Sequence, residues 1–356
     1  MNFENYSNKG LSGLTNLGNT CFINSCMQVL SHTYELNEFL TKDGGTYYKR
    51  RLKNIYESAL LVEWDNLRAL MWESNCVVSP GKFIKTIQKL AQIKKMDMFT
   101  GYNQNDLPEF LLFVVDCFHT GLSREVNMSI NGEVVNKTDK LAVQCFDMIK
   151  NMYSKEYSEI WNMFYGIHVS QIKDLTSEEI LACTPEPFFM IDLPIPPELK
   201  SPTLIDCFEH YVRGETLDGE NAWYNENTNS KQNVQKEIVY WSLPSILVID
   251  IKRFNSNNRK NQIMVSFPLE NLDLHNYVIG YKKESYIYDL YGICNHSGVS
   301  QGGHYTAFIK NANGKWYHFN DQFVTEVTNL NELITPKAYC LFYRKRTVQP
   351  YYENNG

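Results

Sequence analysis

The sequence predicts an α+β protein, with a helical first part and a β-rich remainder. Two patterns predict it. Apolar residues recur at helical spacing in four segments before residue 123, and segments from residue 163 onward alternate or run apolar in the manner of strands. The chain has 356 residues, 43% of them hydrophobic and 21% charged, with no internal repeat. That is enough apolar material for a large core, as two domains or one large domain with lobes.

The elements follow in order. Residues 1–12 read as a flexible lead-in. A helix is expected over 20–31, with Thr20 or Asn19 as N-cap and Phe22, Cys26, Val29 and Leu30 near helical spacing. Further helices are expected over 54–73, 79–93 and 105–122. The second has Ser79 as N-cap and Pro80 at its first position, and the third tolerates Pro108 in its first turn. Segments 163–175 and 187–196 read as strands, and 219–237 as an Asn-rich exposed excursion. The β-branched run at 244–254 reads as a buried strand. The last hundred residues alternate in "SYIYDLYGICNHS", "GGHYTAFIK", "KWYHFND" and "AYCLFYRKR". A cleft between a helical and a β-rich lobe is a natural place for a site.

Composition narrows the function. A net charge of −6 lacks the basic footprint of nucleic-acid binding. The polar N-terminus has no signal-peptide core, and the longest apolar runs, 110–115 and 246–249, are too short to span a bilayer. The expectation is a soluble intracellular protein, cytoplasmic or nuclear, without nucleic-acid or membrane partners. The nine cysteines are odd in number, scattered and free of CxxC spacing, so neither a disulfide framework nor a cysteine-based zinc site is expected.

Cys21 stands in the expected first turn of a helix, behind a Gly-Asn-Thr turn. Helix N–H groups favour a thiolate there, and the Cys21 N–H, with Asn16 or Asn19, could receive an oxyanion. A buried structural cysteine remains open on this segment alone. Catalysis also requires a base with an orienting partner. Of eight histidines, His304 differs: it follows Gly302 and Gly303 directly into a strand. The strand–turn–strand signal after it tests an orienter. A two-residue Asn313-Gly314 loop puts His304 and Asn320 on opposite faces. A three-residue loop at 312–314, with Gly314 left-handed, pairs Asn320 with Thr306 and returns it to the face of His304. Asp321 is the rival orienter.

These residues carry a family resemblance. "GLTNLGNTCFINSCMQVL" (13–30) resembles the cysteine box of the ubiquitin-specific proteases. "YGICNHSGVSQGGHYTAFIK", "WYHFNDQFVTEV" and "AYCLFYRK" resemble their histidine box, and "GYNQNDLPEFLLFVVDCFHTGL", "PFFMIDLPIP" and "LPSILVIDIKRF" stand at family positions between. The similarity spans about 10–346. It implies a papain-like cysteine protease with a helical thumb (about 13–150), β-strand fingers (about 160–243) and a β-rich palm (mainly 244–346), followed by a tail at 347–356. It implies cleavage after the C-terminal Gly-Gly of ubiquitin, with ubiquitin and ubiquitinated proteins as partners, and no cofactor. By position, Cys21 is the nucleophile, His304 the base, Asn320 its orienter, Asn16 the oxyanion side chain and Asp321 a support. Asp106 and Glu109 match acidic positions facing an arginine-containing substrate tail. Residues 295–303, with Gly302 and Gly303, match a loop covering that tail. The family often binds zinc in its fingers, but the four ligand positions hold Asp174, Ser177, Tyr224 and Asn227 here. No metal is expected. A catalytically silent relative would lack the cysteine or the histidine, and both are present.

Overall fold

The computed structural model describes residues 3–299 and 302–346; residues 1, 2, 300 and 301 and the expected tail 347–356 lie outside the described residues. The chain is helical up to residue 164. The helices are α1 (Cys21–Ser31), α2 (Tyr34–Thr41), α3 (Thr46–Lys49), α4 (Tyr56–Glu73), α5 (Gly81–Lys94), α6 (Leu107–Leu122), α7 (Lys137–Tyr153) and α8 (Glu159–Phe164). Two short strands, β1 (Gly13–Leu14) and β2 (Val77–Val78), pair in parallel beside them.

Helix α1 is buried at all eleven of its residues. Its polar side chains survive there by bonding: Gln28 Nε2 donates to the Ser12 carbonyl at 2.7 Å. Helix α5 starts one residue later than expected. The Pro80 carbonyl accepts its first helical bond, from Ile84 N–H, and Ser79 does not cap it. Helix α7 has little apolar signal because only Ala142 and Cys145 are buried, and a capping box between Asn136 and Asp139 opens it.

The remainder is mostly β. Strands β3 (Gly166–Asp174), β4 (Ile180–Phe188) and β5 (Met190–Pro194) precede helix α9 (Leu204–Val212). Then come β6 (Glu215–Leu217), β7 (Trp223–Asn225), β8 (Ser230–Gln232), β9 (Val234–Ser242), β10 (Ile246–Lys252), β11 (Leu272–Asp273), β12 (Ile287–Val299), β13 (Gly302–Lys310), β14 (Trp316–Asn320), β15 (Phe323–Val327) and β16 (Ala338–Lys345). The large sheet runs β15-β14-β13-β12-β16-β10-β5, with β11 paired to β12. A smaller sheet runs β4-β3-β9-β6, and β7 and β8 form a separate hairpin.

Several expectations shift. Met163 and Phe164 finish α8 rather than opening a strand. The expected strand 187–196 is split between two sheets: Phe188 ends β4, while β5 runs parallel to β10 in the large sheet. Part of the segment expected as fingers therefore lies in the large sheet. The polar excursion 219–237 holds the β7–β8 hairpin and the start of β9. The expected covering loop is largely ladder: Asn295 to Val299 belong to β12 and pair with residues 302–306.

The large sheet is covered on both faces. Val248, Ala307, Cys340 and Phe342 join the helical core with α1 and α6. Leu247, Ile249, Ile251, Leu341 and Tyr343 share a second core with Leu204, Cys207 and Phe208 of α9. Two-sided burial is why β10 reads as a continuous apolar run. Strand β13 packs directly on α1, which brings together residues almost three hundred positions apart.

Candidate active site

The turn before α1 is built around Asn16. Its Oδ1 accepts from the N–H of Gly18 (3.0 Å) and of Thr20 (3.3 Å). Leu17 N–H donates to Thr20 Oγ1 at 2.9 Å. Gly18 and Asn19 take positive φ, 106° and 51°. Asn19 Nδ2 donates to the Tyr102 carbonyl at 3.0 Å, so Asn19 shapes and anchors the turn.

Cys21 is the first residue of α1 and is 3% exposed. Burial pushes its thiol up, against the lowering expected from the helix terminus alone. The Asp321 carboxylate adds to the rise, while the N–H groups of Tyr305, Phe22 and Cys21 oppose it. The thiol lies against β13, at the backbone of Tyr305, the residue that follows His304.

His304 and Asn320 meet as the three-residue loop requires. Asn311 N–H donates to the Lys315 carbonyl, Gly314 has φ +83°, and Lys310 pairs with Trp316. This register places Thr306 opposite Asn320. His304 Nε2 lies 2.7 Å from Asn320 Oδ1. With the amide oxygen as acceptor, Nε2 carries the hydrogen and Nδ1 is left basic.

Asp321 does not compete for the histidine. It has φ +50°, and its carboxylate accepts from Asn16 Nδ2 at 3.0 Å and from Asn24 Nδ2 at 2.8 Å. The Asn16 amide is thereby held at both ends, with one N–H left for a ligand. Asn24 has no motif signal of its own; its spacing of three from Cys21 on one helix is the clue the sequence offers.

Asp106 stands at the N-cap position of α6, and its Oδ2 accepts from the Tyr339 hydroxyl at 2.7 Å. Burial raises its carboxyl, and Asp192 pushes the same way. Glu109 is exposed, one turn on. Asp250 of β10 pairs in register with Asp192 of β5, and burial drives its carboxyl well up. Gly303 N–H donates to Gln104 Oε1 at 2.7 Å, tying the β13 strand to the helical part. A Cβ on Gly303 would meet the Ser297 carbonyl at 2.4 Å and His296 Nε2 at 2.6 Å, so only glycine fits. A Cβ on Gly302 would meet nothing within 4 Å. Tyr305, Tyr339 and Gln104 lie outside the candidates read from the sequence, because their contacts come from the packing of segments distant in the chain.

Among the described residues, no group of three or more His, Cys, Asp or Glu is placed to hold a metal ion. The four positions where the family carries zinc ligands do not fit one. Asp174 Oδ1 instead accepts from the N–H and hydroxyl groups of Thr176 and Ser177, closing the β3–β4 turn. Between Tyr224 and Asn227, Asn225 Oδ1 accepts from Asn227 N–H at 2.9 Å and closes the β7–β8 turn.

The family described as "Ubiquitin carboxyl-terminal hydrolase" matches residues 12–343. Ubiquitin carboxyl-terminal hydrolase Usp2 of Drosophila melanogaster is 33% identical over 343 residues, 95% of this chain and 35% of the relative. Human ubiquitin carboxyl-terminal hydrolase 2 is 34% identical over 355 residues, 95% of this chain and 55% of the relative. The chain thus spans between a third and just over half of these relatives. The SAGA Ubp8/Sgf11/Sus1/Sgf73 DUB module bound to ubiquitin aldehyde shares the fold with a TM-score of 0.72 at 24% identity, over 97% of this chain and 71% of that one.

Proposed function

The chain belongs to the ubiquitin carboxyl-terminal hydrolase family, and from that premise we propose that it is a thiol deubiquitinase. It hydrolyses the isopeptide or peptide bond after the C-terminal Gly-Gly of ubiquitin. The observation that carries this reading is the His304–Asn320 bond of 2.7 Å, made by strands that pack on the helix that begins at Cys21.

Nδ1 of His304 takes the proton of Cys21 as Sγ attacks the last glycine's carbonyl carbon. The oxyanion accepts from the free N–H of Asn16 and from the Cys21 N–H. Asn320 holds His304 in the tautomer this needs, without adding charge. The tetrahedral intermediate collapses, His304 gives its proton to the departing lysine amine, and a thioester remains. Water then adds to the thioester with His304 again as base, releasing the ubiquitin carboxylate and restoring the thiol.

Ubiquitin and its conjugates are the partners in this reading. The tail lies in the cleft between the helical part and the large sheet, the thumb and palm of the family plan, past Asp106, Glu109, Gly302 and Gly303. The smaller sheet serves as fingers, and the compartment is intracellular. A ubiquitin probe bearing a C-terminal electrophile tests the proposal. Native protein should be labelled and Cys21→Ala should not. Ubiquitin binding without labelling would leave a silent binder, and neither would point to another modifier.

A further inference from the structure

Asn24 is 2% exposed and stands three residues after Cys21 on α1. Its Nδ2 donates to Asp321 Oδ1 at 2.8 Å and lies 3.3 and 3.4 Å from the carbonyls of Leu14 and Thr15. The other carboxylate oxygen, Oδ2, is the acceptor for Asn16. Asp321 is thus divided between two asparagines, one on the nucleophile's helix and one in the turn before it. Its backbone is fixed as well, since its carbonyl accepts from Leu14 N–H at 2.8 Å.

The arrangement is lopsided. Asn24 Oδ1 is buried without a partner, a cost that packing alone would not select. What the residue supplies is a neutral donor against the Asp321 carboxylate. Remove it, and the Asp321 carboxylate is free to turn about its side-chain bonds. The Asn16 amide then loses the restraint that aims its second N–H.

We propose that Asn24 is a positioning residue for the hydrolysis, acting through Asp321 to hold Asn16 as the oxyanion donor. The inference rests on the deubiquitinase reading of the same site. It predicts a loss in the chemical step and little change in substrate binding.

The test is a double-mutant cycle on a fluorogenic ubiquitin C-terminal amide, with thermal melts on every variant. Asn24→Ala should lower kcat by about ten- to a hundredfold, somewhat less than removing an oxyanion donor outright, with KM within about twofold. In an Asp321→Ala background the same substitution should cost less than about twofold more. Asn24→Ser is the milder variant should alanine not fold. An unchanged kcat, or the full loss repeated without Asp321, overturns the proposal. Should native protein leave ubiquitin amides intact, the function reading falls and N-acetylglycinal still judges Asn24. Its aldehyde takes the Cys21 sulfur at carbon and the thiol proton at oxygen, placing that oxygen at the same donors. Weaker binding by Asn24→Ala, with alkylation of Cys21 by iodoacetamide unchanged, supports the role; equal binding overturns it.

Discussion

At the scale of single residues, the site spends charge sparingly. The partner of His304 is a neutral amide, and the Asp321 carboxylate, which acts on the thiol, faces two asparagines. That carboxylate still opposes thiolate formation. Asp321→Asn is therefore expected to separate two properties. The apparent pKa for iodoacetamide alkylation of Cys21 should fall, because a negative neighbour is gone. Turnover should also fall, because an amide at 321 can no longer accept equally from Asn16 and Asn24. Alkylation rates across pH 6–10, set beside kcat, check both, and an unchanged or higher thiol pKa would contradict the assignment. Residue type and local turn chemistry marked Cys21 and His304 as candidates, while the family resemblance separated Asn16 from Asn19. Asn24 was not marked, since nothing local distinguishes a buried helix asparagine that bonds a distant aspartate from one that merely fills space.

At the scale of elements, the decisive feature is parity along a hairpin. One extra loop residue between β13 and β14 moves Asn320 to the face of His304, and Gly314 at φ +83° makes that loop possible. The sequence allowed both registers and required this one only if Asn320 is the orienter. The end of β14 is held by a second contact. Strand β1 passes so close to the following turn that a Cβ on Gly13 would lie 2.2 Å from the Gln322 carbonyl oxygen. Backbone faces backbone there, so no side chain can yield. Gly13→Ala should destabilise the fold by about 1–3 kcal/mol and lower kcat beyond what the lost stability explains, read by denaturant melts beside kinetics at a temperature where the variant is folded. Long amphipathic helices and the β10 run were legible because one period dominated them. The split at Phe189 was not, because a strand that changes sheets keeps the same apolar pattern.

At the scale of the whole molecule, the two parts are joined by buried and partly buried polar groups as well as by apolar core. Arg344 of β16 donates to Glu35 of α2 at 2.7 Å and to the His32 carbonyl at 2.9 Å. His32 has no exposed surface, and burial lowers its pKa from 6.5 to about 4. The sign follows from proton uptake. Between these values the unfolded chain binds a proton at this site and the native chain does not, so stability present above pH 6.5 is lost as pH falls toward 4. By pH 5 the loss from this site is about 2 kcal/mol. Denaturant melts at pH 7.5 and pH 5 should show it, and His32→Gln should shrink the difference by about that amount; an unchanged difference would place the effect elsewhere.

The position of β16 carries a consequence for biogenesis. This strand, Ala338–Lys345, lies inside the large sheet between β12 and β10, with neighbours on both sides. A ribosome delivers Cys21 early, yet the sheet against which α1 packs cannot close until residues 338–345 have emerged. The nascent chain therefore carries its thiol long before it carries the completed sheet, and a message truncated before that strand yields a cysteine without the strands that surround it here.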